Sequence, residues 1–313
     1  MREFRVRVEA IVPHGSDGRV REFALAPLPG ERLPAHEPGA HLFVHAGPAI
    51  NAYSLLGDGI LPDRYRIAVQ RMDRGGGSDW MHARVVAGDI LTVAGPNGTF
   101  SPVPDARHAL LIAAGIGITP ILAHARAAVR WNRPFSVIHA HRTPDPPLLD
   151  ELAALAGDRL VRVRHRNALR EAVASALRCQ PVGSHAWACG PAAFLDWFLD
   201  EGQRAGWVPE RLHVEAFAAP VQTANEPFTV SLRSSGRRIA VPADVSLLDA
   251  LDGAGVRLPR LCTRGVCGEC AVRVRAGTPD HRDLILGRDQ RATASVMYPC
   301  VSRARSAELE LDL

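Results

Sequence analysis

The stretch Cys262-Thr263-Arg264-Gly265-Val266-Cys267-Gly268-Glu269-Cys270 decides how the last part of the chain folds. Its cysteines follow the pattern Cys-x4-Cys-x2-Cys, and Cys300 comes after 29 further residues. That is the plant-type spacing for a [2Fe–2S] cluster. Four thiolates must converge on two irons, three from one tight loop and the fourth from a distant segment. Gly265 and Gly268 let backbone N–H groups turn toward the sulfurs where a Cβ would obstruct them. Zinc sites usually show two separated Cys-x2-Cys knuckles or a Cys/His mixture, and only one knuckle is present. The expected ligands are therefore Cys262, Cys267, Cys270 and Cys300. Cys179 and Cys189 stand apart and read as small buried hydrophobes.

Around this loop the pattern predicts a hairpin over 228–232 and 238–241, then a helix over 246–254 capped by Ser246 and ended at Gly255, then a strand over 271–274. Upstream, residues 218–227 (AAPVQTANEP) have the composition of a linker. From His108 to Phe217 strand and helix alternate, which implies parallel strands with crossover helices. The helices are expected over 120–130, 148–156, 168–177 and 191–205, and the last strand over 212–217. The first hundred residues read as short strands (20–25, 41–45 and 65–70 among them) with one helix over 78–86, the pattern of a closed antiparallel barrel. The expected organisation is a β-barrel domain over 1–104, an α/β parallel-sheet domain over 105–219, a linker over 220–227 and an α+β ferredoxin-like (β-grasp) domain over 228–313.

Composition sets the bounds. The chain has 313 residues, 47% hydrophobic and 22% charged, with a net charge of +4 from 37 Lys+Arg against 33 Asp+Glu. This is globular composition, with charge too small and too evenly spread to imply a nucleic-acid partner. The longest apolar stretch, residues 109–123, contains Gly115, Gly117, Thr119 and Pro120 and is too short to span a bilayer. The opening MREFRVRVEAIV lacks the apolar core of a secretory signal, and six cysteines are too few for a disulfide scaffold. A cytoplasmic protein without membrane association is expected.

Ala114-Gly115-Ile116-Gly117-Ile118-Thr119-Pro120 sits at a strand-to-helix junction, where glycines and helix N–H groups suit a pyrophosphate. Pro120 replaces the third glycine of the dinucleotide fingerprint, so the motif alone is weak. It gains weight because Cys189-Gly190-Pro191 recurs at another such junction.

Together these segments resemble the phthalate dioxygenase reductase family, related to vanillate demethylase reductases. The resemblance covers essentially the whole chain. It rests on Tyr53-Ser54-Leu55, Gly76-Gly77-Ser78, Gly115 to Pro120, Cys189-Gly190-Pro191, Glu215-Ala216-Phe217, Asp280-His281-Arg282-Asp283, the four-cysteine set and the ending Cys300-Val301-Ser302-Arg303-Ala304. It implies FMN, NADH and a [2Fe–2S] cluster as cofactors, since the C-terminal position of the ferredoxin domain favours FMN over FAD. It also implies that Tyr53 lies along the flavin, that Ser54 hydrogen-bonds near N5, and that Ala68, Val69 and Gln70 pass the ring. Gly76, Gly77 and Ser78 would hold the phosphate. Thr119 and Cys189 would flank the nicotinamide, and Phe217 the flavin face. The family pattern has Arg two residues before the Tyr, for the flavin phosphate; this chain has Asn51 there. Arg64, Arg66, Arg71 and Arg74 are the candidates to compensate.

The implied function is an electron-transfer reductase: NADH gives two electrons as hydride, a flavin converts them to single electrons, and the cluster passes these to an oxygenase or demethylase, with a Rieske-type partner favoured. No acid or base side chain is required. NADH is preferred over NADPH because the segment His141-Arg142-Thr143-Pro144-Asp145 offers one Arg and one Asp. The competing readings are a self-contained flavin reductase acting on a small molecule and a non-enzymatic iron–sulfur redox sensor.

Overall fold

Val6 and Val8 alternate with exposed charged residues, so the segment holding them forms a strand with one face in a core and one in water. The computed structural model describes residues 2–47, 49–73, 75–98, 100–217, 225–293 and 295–313. The chain divides into two units, Met1–Glu215 and Ala216–Leu313.

The first unit opens with β1 (Glu3–His14), β2 (Val20–Pro27), β3 (His41–Ala46), β4 (Ala49–Ser54), β5 (Tyr65–Gln70), α1 (Gly77–Arg84) and β6 (Ile90–Asn97). The strands form an antiparallel sheet in the order β4-β3-β6-β1-β2-β5. A bridge between Leu55 and Ile67 brings its two edges together and closes the barrel. Its interior is filled by Val6, Phe23, Leu42, Ile67, Met81 and their neighbours. The predicted helix starts one residue early and stops at Arg84. Two strands, β4 and β6, have no counterpart in the sequence reading. β4 (AINAYS) lacks a β-branched run, and β6 carries the turn-like pair Gly95-Pro96, joined by a cis peptide.

The same unit continues with β7 (His108–Ala114), α2 (Ile118–Arg130), β8 (Phe135–Ala140), α3 (Leu149–Ala156), β9 (Leu160–Val163), α4 (Arg166–Arg178), β10 (Ser184–Cys189), α5 (Ala192–Arg204) and β11 (Leu212–Glu215). All five strands are parallel, in the order β11-β10-β7-β8-β9. The chain winds outward from β7 through β8 and β9, then returns to β10 on the other side. The switch point therefore falls between β7 and β10, where such sheets open a ligand crevice beyond their carboxyl ends. The last strand ends at Glu215, so Phe217 lies two residues beyond it rather than within it.

Barrel and parallel sheet are tied together by charge. Arg66 on β5 donates from Nη2 to Glu22 at 2.9 Å and to Glu151 on α3 at 3.0 Å. Arg126 on α2 pairs with the same Glu151 and donates to the Leu56 carbonyl at 3.0 Å.

The second unit contains β12 (Phe228–Leu232), β13 (Arg238–Val241), α6 (Leu247–Gly253), β14 (Val272–Ala276), β15 (Pro279–Asp280), β16 (Val296–Met297), β17 (Arg303–Ala304) and β18 (Glu308–Leu311). Its main sheet runs β13-β12-β18-β14-β16, with β12 and β18 parallel, and β15 pairs with β17. The hairpin is as predicted. Ser246 caps α6, its hydroxyl oxygen accepting the Asp249 N–H at 3.0 Å. Val230, Leu247, Leu251, Val272 and Leu309 form the core under the helix. Most of the predicted linker, residues 220–224 of 220–227, lies outside the described residues.

Candidate functional site

In the cysteine loop, Thr263, Gly265 and Gly268 have positive φ angles of 53°, 71° and 82°. The resulting curl aims amide groups inward: the Arg264 N–H donates to Cys262 Sγ at 3.3 Å. Further backbone N–H groups face the sulfurs, and Gly265 supplies one to Cys300. The four thiols form two pairs. Cys270 Sγ lies 3.4 Å from Cys300 Sγ, and Cys262 hydrogen-bonds with Cys267. Within each pair the hydrogen bond favours one thiolate, drawing Cys262 down to about 5 and lowering Cys270, while Cys267 and Cys300 are pushed up. Two pairs are what two irons need. Among the described residues, no three His, Cys, Asp or Glu side chains gather as ligands of a single ion.

The motif after the loop frames it. Asp283 is fully buried, and its Oδ1 accepts the N–H groups of Ile285 and Leu286 at 3.1 and 2.9 Å. Leu284 N–H in turn donates to the Gly265 carbonyl at 2.9 Å. Arg303 donates to the carbonyls of Val245 and Pro242 at 2.7 and 2.8 Å. The Asp283 turn thus braces the loop at Gly265, while Arg303 ties the segment after Cys300 to residues 242–245.

In the first unit, β4 carries Asn51, Tyr53 and Ser54. Asn51 Nδ2 donates to the Tyr53 hydroxyl at 3.2 Å. A Cβ on Gly77 would meet Asn51 Cγ at 3.1 Å and Ala46 Cβ at 3.0 Å, so the start of α1 lies tightly against Asn51 and any larger residue there would push its amide aside. Gly76 precedes that helix, and Ser78 within it is buried. Ser54 is buried too, and its Oγ has no hydrogen-bond partner. On β5, Ala68 and Val69 are buried and Gln70 half-buried.

A chain of contacts links β4 to the switch point. Ser54 pairs in register with His41 on β3. His41 Nδ1 lies 4.0 Å from Glu215 Oε1, and Glu215 pairs in register with Cys189. The Gly117 turn then abuts Cys189: a Cβ on Gly117 would lie 2.6 Å from the Cys189 carbonyl carbon and closer still to its oxygen. A Cβ on Gly190 would likewise meet Ala114 Cβ at 2.8 Å. These two glycines thus let one strand-to-helix turn pack on the other. Gly115, with φ of 59° and nothing within 4 Å of a Cβ, faces open space. Thr119 donates its hydroxyl to the Ile116 carbonyl at 3.0 Å, holding the turn. Pro191 caps α5. Phe217 is half-buried beyond β11.

Burial leaves this junction uncharged. It pushes Glu215 up to about 8 and His41 down to about 4, and, with the Glu215 carboxyl beside it, it raises Cys189 well above the ordinary thiol range. His41 and Glu215 were not singled out as site residues from sequence. The signal for Glu215 was the Glu-Ala-Phe motif; His41 had none, because it joins the site only through strand pairing.

Residues 230–305 match the family described as 2Fe-2S iron-sulfur cluster binding domain, and residues 95–212 match the N-terminal domain of the dimethylamine monooxygenase subunit DmmA-like family. The chain is 39% identical to the heme-dependent oxidative N-demethylase beta subunit of Ectopseudomonas mendocina, over 94% of each chain. It is 37% identical to the phthalate 4,5-dioxygenase oxygenase reductase subunit of Pseudomonas putida, covering 93% of this chain and 91% of that one. The solved phthalate dioxygenase reductase, described as a modular structure for electron transfer from pyridine nucleotides to [2Fe-2S], superposes with a TM-score of 0.78 at 33% identity, over 99% of this chain and 98% of that one. This chain belongs to the phthalate dioxygenase reductase family. As a phthalate dioxygenase reductase relative it is an NADH-dependent oxidoreductase with a flavin barrel, a nucleotide sheet and a [2Fe–2S] β-grasp domain. The paired cysteines and their inward amides fit the cluster. The unpartnered Ser54 hydroxyl and the Gly77 cradle fit FMN. No helix is long and apolar enough to cross a membrane among the described residues.

Proposed function

We propose that hydride passes from NADH to FMN at the junction of β4 with the Gly115 and Cys189 turns, and that electrons leave the [2Fe–2S] domain for a separate oxygenase or demethylase. The observation that carries this reading is the buried, unpartnered Ser54 Oγ, tied through His41 and Glu215 to Cys189. The flavin, when bound, converts a two-electron donor into single electrons. Ser54 donates a hydrogen bond near N5, and Tyr53 and the 68–70 segment of β5 line the ring. Gly76, Gly77 and Ser78 take the phosphate at the start of α1. The open space over Gly115 admits the pyrophosphate, while Thr119, Cys189, Gly190 and Pro191 shape the nicotinamide end. The neutral state of Cys189, Glu215 and His41 keeps the junction free of fixed charge, so orientation rather than proton transfer is what the protein supplies there.

With Asn51 in place of Arg, the phosphate's cation must come from elsewhere. Arg64 pairs with Glu9 at 3.0 Å, and Arg66 is held between Glu22 and Glu151. Arg74 lies outside the described residues. Arg71 pairs with Asp73 at 2.9 Å and lies 3.7 Å from Asp79 in the first turn of α1, and the Asp79 carboxylate also accepts the N–H groups of Asp73 and Gly75. Arg71 is paired as the others are, but its place beside the first turn of α1 makes it the cation we assign to the phosphate.

The favoured acceptor is a Rieske-type oxygenase centre. A haem acceptor is the second reading, supported by the match to the dimethylamine monooxygenase subunit family and by the 39% identity to a heme-dependent N-demethylase subunit. An anaerobic NADH titration of the holoprotein tests the relay: flavin and iron–sulfur bands bleach together. Bleaching of the flavin alone, with the cluster unresponsive, overturns it. Adding the purified partner then separates the acceptors by whether haem or Rieske absorption changes.

A further inference from the structure

The carboxyl edge of the parallel sheet carries a second feature beyond the turns already described. Ala114, Ala140 and Val163 stand side by side at the ends of β7, β8 and β9, so the next residues, Gly115, His141 and Arg164, form one row. His141 N–H donates to the Val163 carbonyl at 3.0 Å and fixes the loop after β8 beside the one after β9. Arg142 from the first loop meets Arg164, His165 and Arg166 from the second around an open depression of about 610 Å3. None of the described residues lining it is acidic.

This placement of exposed positive charge favours an anion. Arg166 is the first residue of the thirteen-residue α4, whose first turn holds no acidic residue. A helix N-terminus already carries partial positive charge and disfavours a cation. Three guanidinium groups, all solvent-exposed, line one hollow whose other described lining residue is His165. A phosphate suits this arrangement, since guanidinium forks bind its oxygens in pairs. A dinucleotide whose pyrophosphate lies over Gly115 runs its adenosine ribose along this row, where nucleotide sheets place the group that reads the ribose 2′ position.

We propose that Arg142, Arg164, His165 and Arg166 form a seat for the 2′-phosphate of the adenosine ribose, so that the chain takes NADPH as well as NADH. The inference rests on the proposed seating of the nucleotide at the Gly115 turn. The sequence reading weighed only the loop after β8, and the other arginines come from a segment more than twenty residues later.

Calorimetric titration of the holoprotein at low salt compares 2′,5′-ADP with 5′-ADP. The expected result is at least tenfold tighter binding of 2′,5′-ADP, lost in Arg164→Asp. The ratio of kcat/KM for NADPH to that for NADH falls at least tenfold in Arg142→Ala and in Arg164→Ala. Equal affinity for the two diphosphates overturns the proposal. So does inorganic phosphate competing as strongly as 2′,5′-ADP, which makes the cluster a general anion patch. Because 2′,5′-ADP binding involves no electron transfer, its outcome is independent of whether NADH bleaches the flavin.

Discussion

Replacing Gly117 by Ala should be the most damaging single methyl addition at the nucleotide turn. Gly117 has φ of −60° and ψ of −5°, an ordinary helical conformation, so Ala introduces no backbone strain. What it introduces is a Cβ within 2.6 Å of the Cys189 carbonyl carbon and 3.1 Å of the Gly190 nitrogen. The obstructing atoms are main chain, locked by the pairing of β10 to β7 and β11, and cannot rotate away. Overpacking of this kind costs about 3 kcal/mol, the upper part of the usual range. For a unit of this size, each kcal/mol moves Tm by roughly 2–4 °C, so a fall of roughly 6–12 °C is expected. Tryptophan fluorescence reads it selectively, because all five tryptophans (80, 131, 187, 197 and 207) lie in Met1–Glu215. Gly115→Ala is the contrast: a Cβ there meets nothing within 4 Å, and only its positive φ of 59° resists, at about 1 kcal/mol. A Gly117→Ala protein melting within about 2 °C of the parent would refute the argument that the two turns need glycine to pack.

Other outcomes follow from the same geometry. Cys270→Ser should lose iron, sulfide and the cluster's visible bands while NADH still bleaches the flavin; a protein that instead retains one tightly held zinc contradicts the two-iron reading. Arg71→Ala should raise the FMN dissociation constant about 5–30-fold, the loss of one charge-assisted bond, measured by quenching of FMN fluorescence; a change under twofold removes Arg71 from the phosphate site. Glu22 should set part of the acid stability. Burial alone would raise its pKa, but hydrogen bonds from His14 and Arg66 outweigh this and bring it down to about 2 from 4.5. The depressed group contributes stability above its unfolded value, and that stability is lost as pH falls from 4.5 toward 2. Allowing for solvent screening, Glu22→Gln should be less stable by about 2 kcal/mol at pH 7. In urea unfolding the gap should close near pH 2; a gap constant with pH argues against it.

The parallel sheet, the hairpin, the Ser246 cap and the gathering of Cys262, Cys267, Cys270 and Cys300 were legible because each is encoded locally, by alternation, by a cap or by cysteine spacing. What was not legible depends on partners far away in sequence. β4 forms because β3 pairs along all six of its residues, not because AINAYS favours extension. β6 tolerates Gly95-Pro96 because it lies between β1 and β3 in a barrel that is already paired. Glu215 was visible only as part of a motif, and its neutrality comes from burial that no local pattern reports. The arginine hollow shows the same limit: each loop contributes a modest charge, and only sheet order makes them neighbours.

The place of β18 has a consequence for biogenesis. This strand, Glu308–Leu311, is the last of its domain to leave the ribosome, yet it sits between β12 and β14 and is parallel to the first of them. The loop bearing three of the four sulfurs is therefore synthesised before the sheet beneath it can close. The cysteine loop therefore rests on its finished sheet only after synthesis has passed residue 311.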